Sequence, residues 1–257
     1  MDLMTSAKAK SDGASASPHS GFTAIAQPRA HDFVVEQIRR QIALGIIPPG
    51  SSLPPERELV RMFGVGRVTV QLAIGQLEAE HVIETRRGRA GGSFVIAPAT
   101  DSRALDFRAV ELRSAAARVI EAVDFREALE PVATGIAAGK LKQKQIRELE
   151  SVLQRVEEAQ DDAEFMRWDT TFHLAIAAAT NNRFMLESLE RVRLELNPAL
   201  QLLPDTRVWH DLSHQEHRDI LAALTAHDAV AAEAHMRAHI AHAGQSIRSL
   251  VKSLSRR

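Results

Sequence analysis

The chain has 257 residues, 45% of them hydrophobic and 25% charged, with a net charge of -1 and no cysteine. That length can bury a full core, and the missing thiols exclude disulfides, thiolate metal sites and a cysteine nucleophile. No apolar run approaches the roughly 20 residues of a membrane helix, and residues 1–28 are Ser/Ala/Gly-rich without a secretory apolar segment, so the expectation is a disordered tail on a cytoplasmic protein with no membrane partner.

The near-neutral total hides a mild division. Residues 29–98 hold nine Arg against seven acidic groups, while residues 99–257 hold 21 basic against 24 acidic groups. From Phe33 to Ile42 apolar residues recur every three or four positions and stop at Gly45 and Pro48-Pro49-Gly50, as a short amphipathic helix should. A second helix fits Pro55 to Phe63, with Leu59 and Phe63 on one face. Gly64-Val65-Gly66 is the turn, and a third helix runs from Arg67 to Glu80 with Val70, Ala73, Ile74 and Leu77 inward. Val82–Thr85 and Ser93–Ile96, joined by the glycine-rich stretch Arg86 to Gly92, read as a hairpin. Three helices and a hairpin make a winged helix-turn-helix over residues 29–98.

Residues 99–110 read as a linker, and residues 111–257 as an all-α bundle of about six helices with breaks at Gly139, Asn181-Asn182, Asn197-Pro198, Leu203-Pro204 and His227-Asp228. The fold class is therefore mainly α: an N-terminal winged helix-turn-helix followed by an all-α helical bundle.

The stretch from Leu53-Pro-Pro-Glu-Arg through Gly64-Val-Gly-Arg-Val-Thr to Ile83, framed by Pro49-Gly50 and Gly88-Arg-Ala-Gly-Gly-Ser-Phe-Val95, resembles the winged helix-turn-helix of the GntR family of bacterial regulators. The resemblance implies that Arg57, Arg67 and Thr69 meet a double-stranded DNA operator, with Arg89 and Gly91 in the wing. Two departures bear on operator choice. Gly66 stands where the family usually has a capping Ser or Thr, and Gln71 stands where one branch usually has Arg, which shifts preference from guanine towards adenine.

Seven of the eleven histidines lie between 210 and 242. At about 100° per residue, Phe165, Phe172 and Ile176 form an inward stripe that includes Asp169, with His173 at its edge. His217 lies nearer the stripe of Ile220, Leu221 and Leu224 than His214 does, and His239 nearer the stripe of Met236, Ile240 and Ile247 than His235 or His242. Positions 217 and 239 are each eleven residues from Asp228, so a turn there brings them to one level. Asp169, His173, His217 and His239 form a set suited to divalent Zn, Ni or Mn, and the other histidines of this region read as mostly solvated.

Asp169-Thr-Thr-Phe-His173, Glu216-His217, Met236-Arg-Ala-His239 and Phe125-Arg126-Glu-Ala-Leu-Glu130 resemble, over about residues 112–245, the FCD ligand-binding domain of the FadR branch of that family. The resemblance implies a homodimeric, metabolite-sensing repressor with a small carboxylate effector. Arg126 is a candidate for gripping that carboxylate, and an internal ion pair with Glu130 is equally open to it. The expected function is transcription regulation without turnover. The alternative is a metal-dependent hydrolase or lyase, with Glu216 or another carboxylate as base, fused to a DNA-binding module.

Overall fold

The computed structural model describes residues 29–88, 91–96, 109–203 and 206–255, the side chains of 206–209 excepted. The tail over 1–28, the linker over 99–108 and Arg89 lie outside the described residues.

Helix α1 (Ala30–Ala43) buries Val34, Val35 and Ile38 against α2 (Glu56–Phe63) and α3 (Arg67–Ala79). Their shared core includes Leu59, Val70, Ala73, Ile74 and Leu77. The α2–α3 turn works because Gly64 takes φ 64° at the end of α2, a left-handed conformation that glycine adopts without a Cβ clash. Strands β1 (Ile83–Arg86) and β2 (Gly92–Val95) pair antiparallel with Ile83 opposite Val95. Residues 50–53, between the first two helices, line the other edge of β2. Leu53 N–H donates to the Ser93 carbonyl at 2.7 Å and Val95 N–H to the Ser51 carbonyl at 2.9 Å, so an isolated bridge at Ser52 flanks the two-stranded wing.

Residues 109 and 110, read as the end of the linker, already open a helical stretch that runs to 114. They lead into α4 (Ala116–Ala138), α5 (Gln143–Glu157), α6 (Asp162–Ala179), α7 (Arg183–Leu200), α8 (Thr206–Thr225) and α9 (Ala229–Leu254). Side-chain caps start three of these helices: Asp161 accepts from Glu164 N–H, Asn182 from Phe184 N–H and Asp228 from Ala231 N–H. One expected break is absent, because Asn197 and Pro198 lie inside α7. Proline there forfeits a single backbone bond near the helix end, and Asn197 is buried with its amide engaged elsewhere, so tertiary contacts override the local signal.

The two cores meet at Leu44. This residue ends α1, is 1% exposed, and packs on Ala133, Leu174, Ala177 and Leu189 of the bundle. Arg40 adds an ion pair to Glu190 at 3.4 Å.

Candidate functional site

Asp169 and His173 stand one turn apart on α6, His217 on α8 and His239 on α9, and all four are buried. Their potential ligand atoms lie within 4.8 Å of one another. Asp169 Oδ1 is 3.4 Å from Nε2 of both His173 and His217, and the Nε2 atoms of His173 and His239 are 3.3 Å apart. Donors about 2.1 Å from a central cation sit roughly 3 to 4.2 Å from each other, a range that holds the 3.3 and 3.4 Å pairs.

The outer partners sharpen that reading. Nδ1 of His239 is 2.7 Å from Glu216 Oε2, and Nδ1 of His173 contacts Glu130 Oε1. A proton on each Nδ1 facing its carboxylate leaves lone pairs on the two Nε2 atoms that face each other. Such a contact is repulsive unless a cation or an extra proton lies between them. Carboxylate behind imidazole is also the arrangement that orients histidine ligands. His217 Nδ1 has no hydrogen-bond partner among the described residues.

Arg126 and Glu130 do form the internal pair, at 2.6 Å with both side chains buried, while Arg126 Nη2 has no hydrogen-bond partner among the described residues. Burial alone would raise the carboxylates. Instead Arg126 and His173 hold Glu130, and Arg193 and His173 hold Asp169, well below the usual carboxylate range, so both stay ionised.

Arg193 is the residue that sequence reasoning missed. It pairs with Asp169 and donates from Nη2 to Thr170 Oγ1 at 2.7 Å, and its Nε and Nη1 have no hydrogen-bond partner among the described residues. Asn197, one turn on, donates from Nδ2 to Thr170 Oγ1 at 3.4 Å and to the Leu44 carbonyl at 3.2 Å. A buried polar path thus runs from Asp169 through Arg193, Thr170 and Asn197 to the end of α1. The available signal was a cationic residue on the apolar stripe of Leu189, Leu196 and Leu200.

The remaining histidines divide. His227, His235 and His242 are exposed, but His210 and His214 are half-buried, because their rings lie against Phe165 with centroids 3.7 and 5.7 Å away. Glu216, weighed as a base, is instead engaged by Nδ1 of both His239 and His242.

Burial pushes His217 down to about 3 and His239 below its usual value, opposed by Asp169 and Glu216 respectively. In the unfolded chain both titrate near 6.5. As pH falls below that value the unfolded state takes up protons that the folded state refuses, so stability is lost on acidification between 6.5 and about 3. In chelator-treated protein the urea midpoint should therefore drop between about pH 7.5 and about pH 5, each histidine contributing at most about 2 kcal/mol. A flat profile would mean that neither ring is desolvated.

On the winged unit, Arg57, Arg67 and Gln71 are exposed and Thr69 is half-buried. Glu56 Oε2 accepts from Arg67 Nε at 3.3 Å and from Gln71 Nε2 at 3.1 Å, which orients both over one surface. Gly66 caps α3 with no side-chain bond. Gly91 must be glycine, since a Cβ there would fall 2.5 Å from the Arg86 carbonyl oxygen and 2.8 Å from that of Gly88. Arg86 is drawn to Glu84 and lies over the Phe94 ring, leaving Arg87 as a free exposed cation of the described wing.

Residues 30–95 match the family model described as bacterial regulatory proteins, gntR family, and residues 121–242 match the FCD domain. The chain is 30% identical over 233 residues to the Uxu operon transcriptional regulator of Escherichia coli, covering 88% of this chain and 89% of that protein. It is 26% identical over 234 residues to the HTH-type transcriptional repressor NanR of Klebsiella aerogenes, covering 89% of each. Among solved structures, E. coli McbR/YncC superposes with a TM-score of 0.50 at 20% identity, covering 87% of this chain and 98% of that one.

Proposed function

Because the chain belongs to the GntR family of bacterial regulators and carries an FCD domain behind its winged helix, we propose that it is a cytoplasmic, homodimeric repressor whose operator affinity answers to a small organic acid. DNA binding and regulation follow from the family, and the chain is a regulator, not an enzyme. The finer assignments are ours. Asp169, His173, His217 and His239 hold a divalent cation (Zn, Ni or Mn), and Arg126 meets the carboxylate of the effector through Nη2. Arg57, Arg67, Thr69, Gln71 and the wing residues Arg89 and Gly91 meet the operator.

The observation that carries the metal reading is the pair of histidine Nε2 atoms 3.3 Å apart, each with its Nδ1 turned to a carboxylate. The cation would supply a Lewis-acidic centre with room for an oxygen ligand. Three buried guanidinium nitrogens without hydrogen-bond partners among the described residues, Arg126 Nη2 and Arg193 Nε and Nη1, favour an anionic acceptor beside it, since a buried donor left unmet costs about 1–3 kcal/mol. Exposed apolar residues Phe125, Val132 and Ile136 on α4 support a self-association face. The repressor reading takes its sign from the named relative NanR.

The polar path to Leu44 supplies a route by which occupancy of the site would reach the DNA-binding unit, through Arg193, Thr170 and Asn197. Elemental analysis of the purified chain should find about one divalent ion per protomer, with His217→Ala and His239→Ala greatly depleted and His214→Ala unaffected. Full metal content in both depleted variants would overturn the ligand assignment.

A further inference from the structure

Helix α3 buries Val70, Ala73, Ile74 and Leu77, and its opposite face carries a feature that packing does not explain. Val68 is 69% exposed and Leu72 is 54% exposed. At 3.6 residues per turn they share an arc of about 100° with the exposed Gln71 and Gly75. Gly75 is a glycine in a helix interior, where it weakens the helix, and beyond its own stretch of helix no atom of the described residues lies within 4 Å of where its Cβ would be. Nothing inside the protein calls for either the apolar pair or the missing Cβ. Arg57, Arg61 and Arg67 are exposed on the same two helices, so the surroundings suit a polyanion.

In the major groove the apolar group that base edges offer is the 5-methyl of thymine, and glutamine pairs bidentately with adenine. We infer that Val68 and Leu72 are specificity-determining residues that pack on thymine methyls, beside an adenine read by Gln71. Gly75 then lets the helix backbone approach the groove closely. Glu56 holds Gln71 and Arg67 ready on the same surface. The operator half-site should accordingly carry A·T pairs opposite the first two turns of α3, with guanine confined to the Arg67 edge. This rests on α3 being the DNA-reading helix.

The test uses the full-length chain and the tightest duplex recovered from a randomised double-stranded DNA pool. Each thymine is replaced in turn by deoxyuridine, which removes only the methyl. Wild type should lose about fourfold in affinity at each contacted position, the worth of one methyl withdrawn from water. Leu72→Ala or Val68→Ala should bind the thymine duplex more weakly and show no further loss on the matching deoxyuridine duplex. Unchanged wild-type affinity at every deoxyuridine position would overturn the inference, as would equal thymine-to-deoxyuridine losses in wild type and both variants. A pool from which no duplex is enriched would overturn DNA reading by α3 itself.

Discussion

Replacing Arg193 with alanine is expected to destabilise metal-free protein by about 3–5 kcal/mol, the cost of stripping one partner from a buried ion pair. Arg193 is 1% exposed and Asp169 2% exposed, and the guanidinium does most to hold that carboxylate ionised against burial. Without it, Asp169 still faces the His217 ring, which burial keeps from protonating at neutral pH. For a chain of this size the loss corresponds to a fall in Tm of roughly 6–20 °C. Calorimetry after chelation measures it directly. Adding the divalent cation should restore part of the loss in Arg193→Ala, because a cation bound by Asp169 supplies the missing positive charge. A Tm within about 2 °C of wild type after chelation would show that Asp169 does not depend on Arg193.

Asn197→Leu should separate sensing from response. The substitution keeps side-chain size and removes the amide that bonds Thr170 Oγ1 and the Leu44 carbonyl, without touching the four candidate ligands. Metal content and effector binding should survive, and operator affinity in the absence of effector should remain near that of wild type. What should vanish is the effector-dependent shift, which for typical coupling of about 1–3 kcal/mol is roughly 5- to 150-fold. Arg126→Ala should lose the same shift for a different reason, failure to bind the effector. Calorimetric titration of the carboxylate distinguishes the two variants, and fluorescence titration of labelled operator reads the response. A full operator response in Asn197→Leu would remove the polar path from the coupling route.

Much of this arrangement could be read without coordinates, and the reason is local. Helical periodicity alone puts Asp169, His217 and His239 inward, and equal spacing about Asp228 pairs the last two, since a tight turn between antiparallel helices fixes their register. The glycines and apolar spacing of residues 55–96 determined the winged helix in the same way, because turns and amphipathic faces are properties of neighbouring residues. Tertiary structure decided the rest. The bridge at Ser52 forms against the free edge of β2, which the local sequence does not contain. Asn197 and Pro198 stay helical only because Asn197 reaches a carbonyl 153 residues away. Arg193 gains its partner from a helix 24 residues earlier, and the turning of two histidines towards Glu130 and Glu216 depends on where α4 and α8 lie. No window of sequence contains both members of these pairs, and the low dielectric that makes them strong exists only once the helices close around them.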